Sequence, residues 1–236
     1  MKALFWKITR LLLLAAVAAP TFAPPARSAE PTVALVSKVI LDVKHKEIEK
    51  DWVVAKRGET LASGDRVKTG ANSLAVIKFK DNSLVRVREE SELTITGSSS
   101  GRAFSKSVDL TKGAVGFNIK KQLTGEEFNF RSPTSVASIR GTEGMYIVSV
   151  PEDLLTVLEG RIRFLNTVSS RTVDVEAGYT GVATPDGNII TRLSTLAEQA
   201  VARNAMIESP SEQQNILEFE FRDGQGNRKQ LRIDFK

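Results

Sequence analysis

The sequence predicts an all-β fold of many short strands, followed by one amphipathic helix and a C-terminal β-hairpin. Over most of residues 33–193, apolar residues alternate with polar ones, as they do in half-buried strands. Turn residues such as Gly58, Gly70 and Asp81 separate these runs at intervals of about 8–12 residues. Short strands at this spacing are typical of a sandwich, a barrel or a solenoid.

The first 29 residues predict a secretory signal peptide. They combine three basic residues among the first ten, an apolar run over 11–19 and the small-residue sequence Ala-Arg-Ser-Ala at 26–29. Cleavage is expected after Ser28 or Ala29. The apolar run is shorter than the roughly 20 residues that span a bilayer, which disfavours an uncleaved membrane anchor. We therefore expect a periplasmic or secreted protein with no membrane span in the mature chain.

Charge and cysteine content exclude several classes of function. The chain has 33 Lys and Arg against 28 Asp and Glu, a net charge of +5. Four of the basic residues and none of the acidic ones lie in residues 1–29, so the mature chain has 29 against 28. A nearly neutral chain gives no electrostatic reason to expect nucleic acid as a partner. There is no cysteine, which excludes disulfide bonds and a cysteine-linked lipid.

The β domain is expected over residues 30–191, and its core is expected at the apolar positions of each alternating run. Those positions are Ala75, Ile77 and Phe79; Val85 and Val87; Leu93 and Ile95; Val115, Phe117 and Ile119; Phe128 and Phe130; Ile162 and Phe164; and Val173 and Val175. Alternation places them on the inner face of each strand, with polar neighbours in solvent. Lys112-Gly113 is interpreted as a turn, and residues 97–101 as a mobile loop.

Helical spacing replaces alternation over residues 192–209. The apolar residues with this spacing are Leu193, Leu196, Ala197, Ala200, Val201, Ala205 and Met206. They predict one amphipathic helix, which Pro210 ends.

Residues 210–236 predict a β-hairpin, because two alternating runs flank a turn at 223–227. An isolated hairpin is only marginally stable in water. Its apolar face is therefore expected to dock on the main domain, on the helix or on another protein. The expected partner-docking residues are Phe219, Phe221, Ile233 and Phe235.

Candidate catalytic and ligand-binding residues are few. His45 is expected on the solvated surface, because without a second histidine or a cysteine it cannot form a zinc site. Glu89 and Glu90 should face opposite ways on a strand, which disfavours a pair of hydrolytic carboxylates. Arg86 and Arg161 are interpreted as parts of solvated strand faces. We expect no catalytic residue, no cofactor and no metal.

The most distinctive stretch is Arg-Ser-Pro-Thr-Ser-Val-Ala-Ser-Ile-Arg-Gly-Thr-Glu at residues 131–143, a strand signal that runs into a glycine turn. Gly141 would allow a positive φ there, and Arg140 is expected to pair with Glu143 across the turn. A mainly structural role is predicted, with direct binding as the alternative, for Pro133, Arg140, Gly141, Thr142, Glu143 and Gly160.

Five stretches occur in an order that resembles the FecR family, named for the periplasmic part of iron-dicitrate signal transducers. They are residues 58–70, 75–93, 112–115 with 128–143, 157–160 and 177–178. The resemblance covers about Val33 to Ile190, and implies a solenoid-like or stacked β-sheet domain. It also implies action by protein–protein contact, not catalysis. Regulatory members begin with a cytoplasmic segment before a membrane span, whereas this chain begins with a signal, so a direct anti-sigma role is not expected.

The expected function is therefore that of an exported, non-enzymatic module that contacts another envelope protein, in signalling or as a scaffold. The alternative is a cell-wall or polysaccharide-binding module. Such a module needs exposed aromatic residues for stacking on sugars, and only Trp52, Tyr146 and Tyr179 are candidates.

Overall fold

The computed structural model describes residues 32–100, 103–208, 215–222 and 228–235, with side chains for 32–99 and 104–208. These residues form nineteen strands and one helix. The prediction of a mostly β chain with one helix near its C-terminus is confirmed.

Seventeen strands form two stacked sheets that share one long strand. Sheet A has the spatial order β4 (Thr60–Ala62), β1 (Thr32–Ile40), β6 (Leu74–Phe79), β7 (Leu84–Val87), β9 (Ala103–Ile119), β12 (Thr142–Val148), β13 (Asp153–Glu159), β16 (Tyr179–Ala183) and β17 (Ile189–Leu193). Sheet B has the order β3 (Val53–Val54), β2 (Val43–Lys46), β5 (Arg66–Thr69), β8 (Glu92–Ser100), β9, β10 (Phe128–Arg131), β11 (Ser135–Ile139), β14 (Arg161–Asn166) and β15 (Thr172–Glu176).

Strand β9 joins the two sheets. Its first half pairs with β8 and, in parallel, with β10 in sheet B. Its second half, Gly113 to Ile119, pairs with β7 and β12 in sheet A. Gly113 lies at the change of sheet with φ +98, and a Cβ there would lie 2.2 Å from Ser91 Oγ. The interpretation of Lys112-Gly113 as a turn between strands is therefore wrong, because the glycine lies inside one continuous strand.

The chain moves repeatedly from one sheet to the other, which confirms the predicted stacked-sheet architecture. It crosses from β11 to β12 at Arg140 and Gly141, from β13 to β14 at Gly160, and from β15 to β16 at Gly178. The three glycines have φ values of +76, +84 and +85. L-residues rarely adopt this conformation, so glycine is the residue that makes these short crossings possible.

The core is a single apolar layer between the sheets. Every residue that alternation assigned to it is buried except Val173, which is partly buried and packs against it. Six aromatic rings run through the layer, three from each sheet: Phe79, Phe117 and Tyr146 from sheet A, and Phe128, Phe130 and Phe164 from sheet B. Phe130 has its ring centroid 5.0–6.1 Å from those of Phe117, Phe128 and Tyr146.

The stretch interpreted as a mobile loop is mostly strand. Residues 97–100 belong to β8 and pair with the first residues of β9, from Ala103 to Lys106. Gly97 fits there because a Cβ would lie 2.5 Å from Val33 Cγ2. Close packing and strand pairing, not flexibility, explain this glycine.

The predicted C-terminal hairpin is present as β18 (Asn215–Arg222) and β19 (Arg228–Phe235). The two strands pair in antiparallel register over their whole length and form a separate two-stranded sheet. The helix α1 (Leu196–Ala205) is shorter than the predicted 192–209, because residues 189–193 belong to strand β17.

Gly160 and Gly178 have nearly the same φ but different surroundings. Substituting each by alanine therefore distinguishes the cost of backbone strain from the cost of a steric clash. A Cβ at Gly160 would lie 2.6 Å from Thr142 Cγ2, whereas a Cβ at Gly178 would meet nothing within 4 Å. We expect Gly178→Ala to lower the free energy of unfolding by about 1 kcal/mol through strain alone. Gly160→Ala should cost about 1–3 kcal/mol more. Urea denaturation of both variants measures this; equal losses would contradict the packing assigned to Gly160.

Candidate functional site

The 131–143 stretch connects the two sheets. Residues 132–134 form the turn between β10 and β11, and Arg140 with Gly141 leads into β12. Pro133 lies at the turn, and its carbonyl accepts a hydrogen bond from Thr167 Oγ1 at 2.9 Å. Within the stretch, Ser135, Ala137, Ile139 and Thr142 are buried, whereas Pro133, Ser138 and Arg140 are exposed.

A buried polar cluster fastens this turn to sheet A. Ser132 and Ser135 both donate hydrogen bonds to Asp153 on β13, the latter at 2.7 Å. The Tyr146 hydroxyl lies 2.8 Å from Ser135 Oγ. Asp153 is only 2% exposed. Burial raises the pKa of the Asp153 carboxyl above its ordinary value, and hydrogen bonds from the two serines partly oppose that shift.

The remaining residues of the stretch do not form the expected ion pair. Glu143 accepts a hydrogen bond from Asn118 Nδ2 at 2.7 Å on the neighbouring strand. Among the described residues Arg140 makes no ion pair and is exposed. Thr142 is buried, and its methyl group packs against Gly160, where any side chain would clash with it. The expected Arg140–Glu143 pairing is therefore wrong, because the two side chains leave the crossing in different directions.

Arg140 borders a shallow groove of about 520 Å³ across β10, β11, β14 and β15. Strand register places Asn129, Ser138, Arg163 and Asp174 in one row along it. Three arginines and three carboxylates line the groove, so its charge is balanced. Such a surface offers many hydrogen-bonding groups but no field of one sign.

Helix α1 packs on the outer face of sheet A. Thr195 and Glu198 form a capping box at its start, and Arg192 binds Glu198 through two nitrogens at 2.7 and 2.9 Å. Hydrogen bonds from Arg192 lower the pKa of Glu198 to about 2. Ala202 and Ala205 are buried against Met145 of β12.

Gly116 allows the helix to lie close to the sheet, since a Cβ there would lie 2.4 Å from the carbonyl oxygen of Ala205.

Basic side chains of sheet A and of the residue after β7 bind the segment that follows α1. Arg86 lies 3.2 Å from a Glu208 carboxylate oxygen, and Lys38 donates to the Glu208 carbonyl. Arg88 donates to the Ile207 carbonyl at 3.2 Å. Arg86 was expected in solvent, but the segment after α1 covers it, so that expectation is wrong.

The predicted amphipathic helix is confirmed, but most of its predicted apolar face is not the face that touches the sheet. Ala202 and Ala205 are buried, as is part of Met206. Leu193, Leu196 and Val201 are exposed. Only the side of the helix with Ala202 and Ala205 therefore rests on sheet A, and its exposed residues include Arg203 and Asn204 as well as Leu196 and Val201.

Two further expectations about single residues are wrong. His45 is 3% exposed, with Nδ1 3.1 Å from Glu59 Oε2. It follows Val43 at a spacing of two, and that alternation turns it inward despite its polar neighbours in sequence.

Tyr146 is fully buried, so it cannot stack on a sugar. Trp52 contacts two cations, with Lys68 Nζ 4.2 Å and Arg66 Cζ 5.4 Å from its ring centroid.

The hairpin residues Phe219, Phe221, Ile233 and Phe235 lie outside the described side chains. Within the described residues, no group of three His, Asp or Glu side chains could hold a metal ion. No helix in that part of the chain is long and apolar enough to cross a bilayer.

The Asp153 cluster gives a pH-dependent prediction. Because the folded-state pKa of Asp153 is raised, its contribution to stability is complete below the unfolded pKa of about 3.9 and is lost as pH rises through the folded pKa. Asp153→Asn cannot titrate. The native chain should therefore lose stability relative to this variant between pH 4 and 7. Urea denaturation across that range measures the difference in the free energy of unfolding. If the native chain gained stability relative to Asp153→Asn as the pH rose, the raised pKa assigned to Asp153 would be wrong.

Two solved structures of another protein have a similar fold. Two crystal structures of a proposed anti-sigma factor from Parabacteroides distasonis ATCC 8503, at 2.50 and 1.65 Å resolution, match with a TM-score of 0.50. Sequence identity is 12% and 11%, and each match covers 65% of this chain and 66% of the other. The chain thus spans just under two thirds of those proteins, and the likeness extends to the fold alone.

No curated protein matches the chain significantly in sequence. A family model described as "FecR protein" matches residues 65–190, which is more than half of the chain. The match contains the shared strand β9, the three glycine crossings and the whole 131–143 stretch with its buried partner Asp153. The chain therefore belongs to the FecR family.

Proposed function

We propose that this protein is exported to the periplasm and acts there, without catalysis, by binding another protein of the cell envelope. The observation that carries the proposal is the FecR match over residues 65–190. The signal-like residues 1–29 support export. The neighbour described as a proposed anti-sigma factor supports a regulatory role over a purely structural one.

The distribution of residues over the fold favours contact through the C-terminal unit, residues 194–235. In the distinctive 131–143 stretch, Ser132, Ser135 and Gly141 serve the Asp153 cluster and the sheet crossing. The C-terminal unit lies outside the family match and adds a helix and a hairpin. In the described pairings, β18 and β19 pair only with each other, so each offers a free edge. A partner strand can add to such an edge through backbone hydrogen bonds.

Export is tested by expressing the whole chain in a Gram-negative bacterium and sequencing the N-terminus of the protein recovered from each cell fraction. We expect the periplasmic fraction to hold a chain that begins at residue 29 or 30. An intact N-terminus in the cytoplasm would contradict the proposal.

Partner contact is tested by in-cell cross-linking with a chain that lacks residues 211–236. The full chain should form a defined cross-linked species with one envelope protein, and the deletion should reduce its yield at least tenfold. Arg140→Ala is the matched control, since it alters the groove on sheet B and leaves the C-terminal unit intact. An unchanged yield from the deletion would contradict contact through the hairpin.

The balanced polar groove on sheet B favours a second candidate, a wall-polymer-binding module. Its hydrogen-bonding row suits a polyhydroxylated chain, although neither Trp52 nor Tyr179 lines the groove. Retention of the purified protein on peptidoglycan, lost in Arg140→Ala, would favour this candidate over protein contact.

A further inference from the structure

The contact between helix α1 and sheet A buries little apolar side chain. On the helix, Ala202 and Ala205 are buried against Met145, and each contributes one methyl group. Beneath the end of the helix, Gly116 has no side chain, and a Cβ there would lie 2.4 Å from the Ala205 carbonyl oxygen. The free energy of burial scales with the apolar area removed from water. Two methyl groups, with the partly buried Met206 beside them, are therefore a weak fastening for a ten-residue helix.

The start of the helix is fixed to sheet A by polar contacts and by the chain itself. Ser194 and Thr195 alone separate α1 from strand β17. The Ser194 hydroxyl lies 2.8 Å from Thr180 Oγ1 on β16, and Arg192 of β17 binds Glu198 of the helix through two nitrogens. The helix cannot leave the sheet at this end, so any movement of its other end must turn about the two-residue connection to β17.

Charge holds the other end of the helix. Lys38 of β1 donates a hydrogen bond to the Glu208 carbonyl oxygen at 2.5 Å, and Arg86 of β7 lies 3.2 Å from the Glu208 carboxylate. Arg88 donates to the Ile207 carbonyl oxygen at 3.2 Å. These contacts lie just beyond the carboxyl end of α1, where the helix dipole favours cations. Three cations thus converge on one carboxylate and two backbone carbonyl groups.

This arrangement only partly satisfies the Arg86 guanidinium. The Arg86 side chain is 12% exposed. Its Nε and Nη1 are buried, and within the part of the chain whose side chains are described neither atom has a hydrogen-bond partner. Buried donors without acceptors are costly. The side chains of Lys38 and Glu208 are 42% and 40% exposed, so salt can screen their attraction. The fastening at Glu208 is therefore both incomplete and accessible to salt.

The closed helix covers an apolar strip on the outer face of sheet A. Met145 is buried beneath it, and Ala114, Ile147 and Leu158 pack against the same cluster. Strand register sets Ala114 opposite Ile147 and Gly116 opposite Met145, so the strip runs across β9 and β12, and Leu158 extends it to β13. If the helix swung away about its connection to β17, this strip would become exposed beside the cations that bind Glu208.

We propose that α1 and residues 206–208 form a latch, hinged at the connection to β17 and fastened by Glu208. When the latch opens, it uncovers the apolar strip together with Lys38, Arg86 and Arg88. An apolar strip beside cations fits an amphipathic segment of a partner protein that carries carboxylates, and these compete with Glu208 for the same cations. The contact surface rests on the proposed function, whereas the latch is a property of the isolated protein.

Hydrogen exchange at the α1 amides of the purified protein tests the latch. Glu208→Gln removes the carboxylate and keeps the size of the side chain, so the α1 amides should exchange at least about fivefold faster. Raising the salt concentration from about 0.1 M to about 1 M shortens the Debye length from about 10 Å to about 3 Å. It should therefore also speed α1 exchange in the native chain. Amides 114–119 of β9 should not change, because the opening is local.

Glu176→Gln is the matched control. Glu176 also pairs with an arginine, Arg161 at 2.5 Å, but on sheet B, and its loss should change α1 exchange less than about twofold. If α1 exchange is insensitive to Glu208→Gln and to salt, the latch is overturned in favour of a helix held by burial. If the α1 amides exchange only together with those of β9, the latch is overturned as well, because the helix is then part of the core.

The contact surface is tested by the in-cell cross-linking described above, with two variants that both unfasten the latch. Glu208→Gln leaves all three cations in place and should raise the yield of the cross-linked species. Arg86→Gln removes one of the cations and should not raise it. An equal yield from the two variants would overturn the contact surface. If no variant and no native chain forms a cross-linked species, the proposed function fails and the contact surface with it, while the exchange measurement still decides the latch.

Discussion

Everything in this molecule depends on one apolar layer buried between two sheets that share strand β9. Rings from both sheets alternate through that layer, and Phe130 lies at its centre, in contact with Phe117, Phe128 and Tyr146. Burying one such side chain contributes about 1.5–3 kcal/mol, and aromatic pairs add about 0.5–1.5 kcal/mol each. Because the chain contributes to the layer from both sides in turn, it must cross between sheets many times, and each short crossing restricts which residues can stand there.

That requirement explains the glycine and the buried serine in the most distinctive stretch of the sequence. The positive φ of Gly141, the contact of Gly160 with Thr142, and the hydrogen bonds of Ser132 and Ser135 to Asp153 all serve the passage between sheets. Two parts of the surface are available for contact. The outer face of sheet B supplies a polar groove. The C-terminal unit supplies a helix and a hairpin whose strands pair only with each other in the described pairings, and this unit is where we place partner binding.

Much of this could be predicted from the sequence because half-buried strands impose a period of two. The inner positions of β6, β7, β9, β10 and β14 follow directly from it, and so does the hairpin register. Contacts between residues distant in sequence could not be predicted in this way. Asp153 lies 18 residues from Ser135, and Glu208 lies 122 residues from Arg86. No local pattern reports such pairs. The helix shows a related limit, since spacing identified an apolar side without indicating which layer would cover it.

The central claim is that the two sheets enclose one core and unfold as one unit through β9. It is tested most directly by native-state hydrogen exchange in Phe130→Leu, a substitution that should cost about 1–3 kcal/mol. The account predicts that the slowest amides in both halves of β9, residues 106–110 and 114–119, lose the same protection free energy as the protein loses in global stability. A loss confined to the sheet B half, with the sheet A half unchanged, would show two separate cores and contradict it.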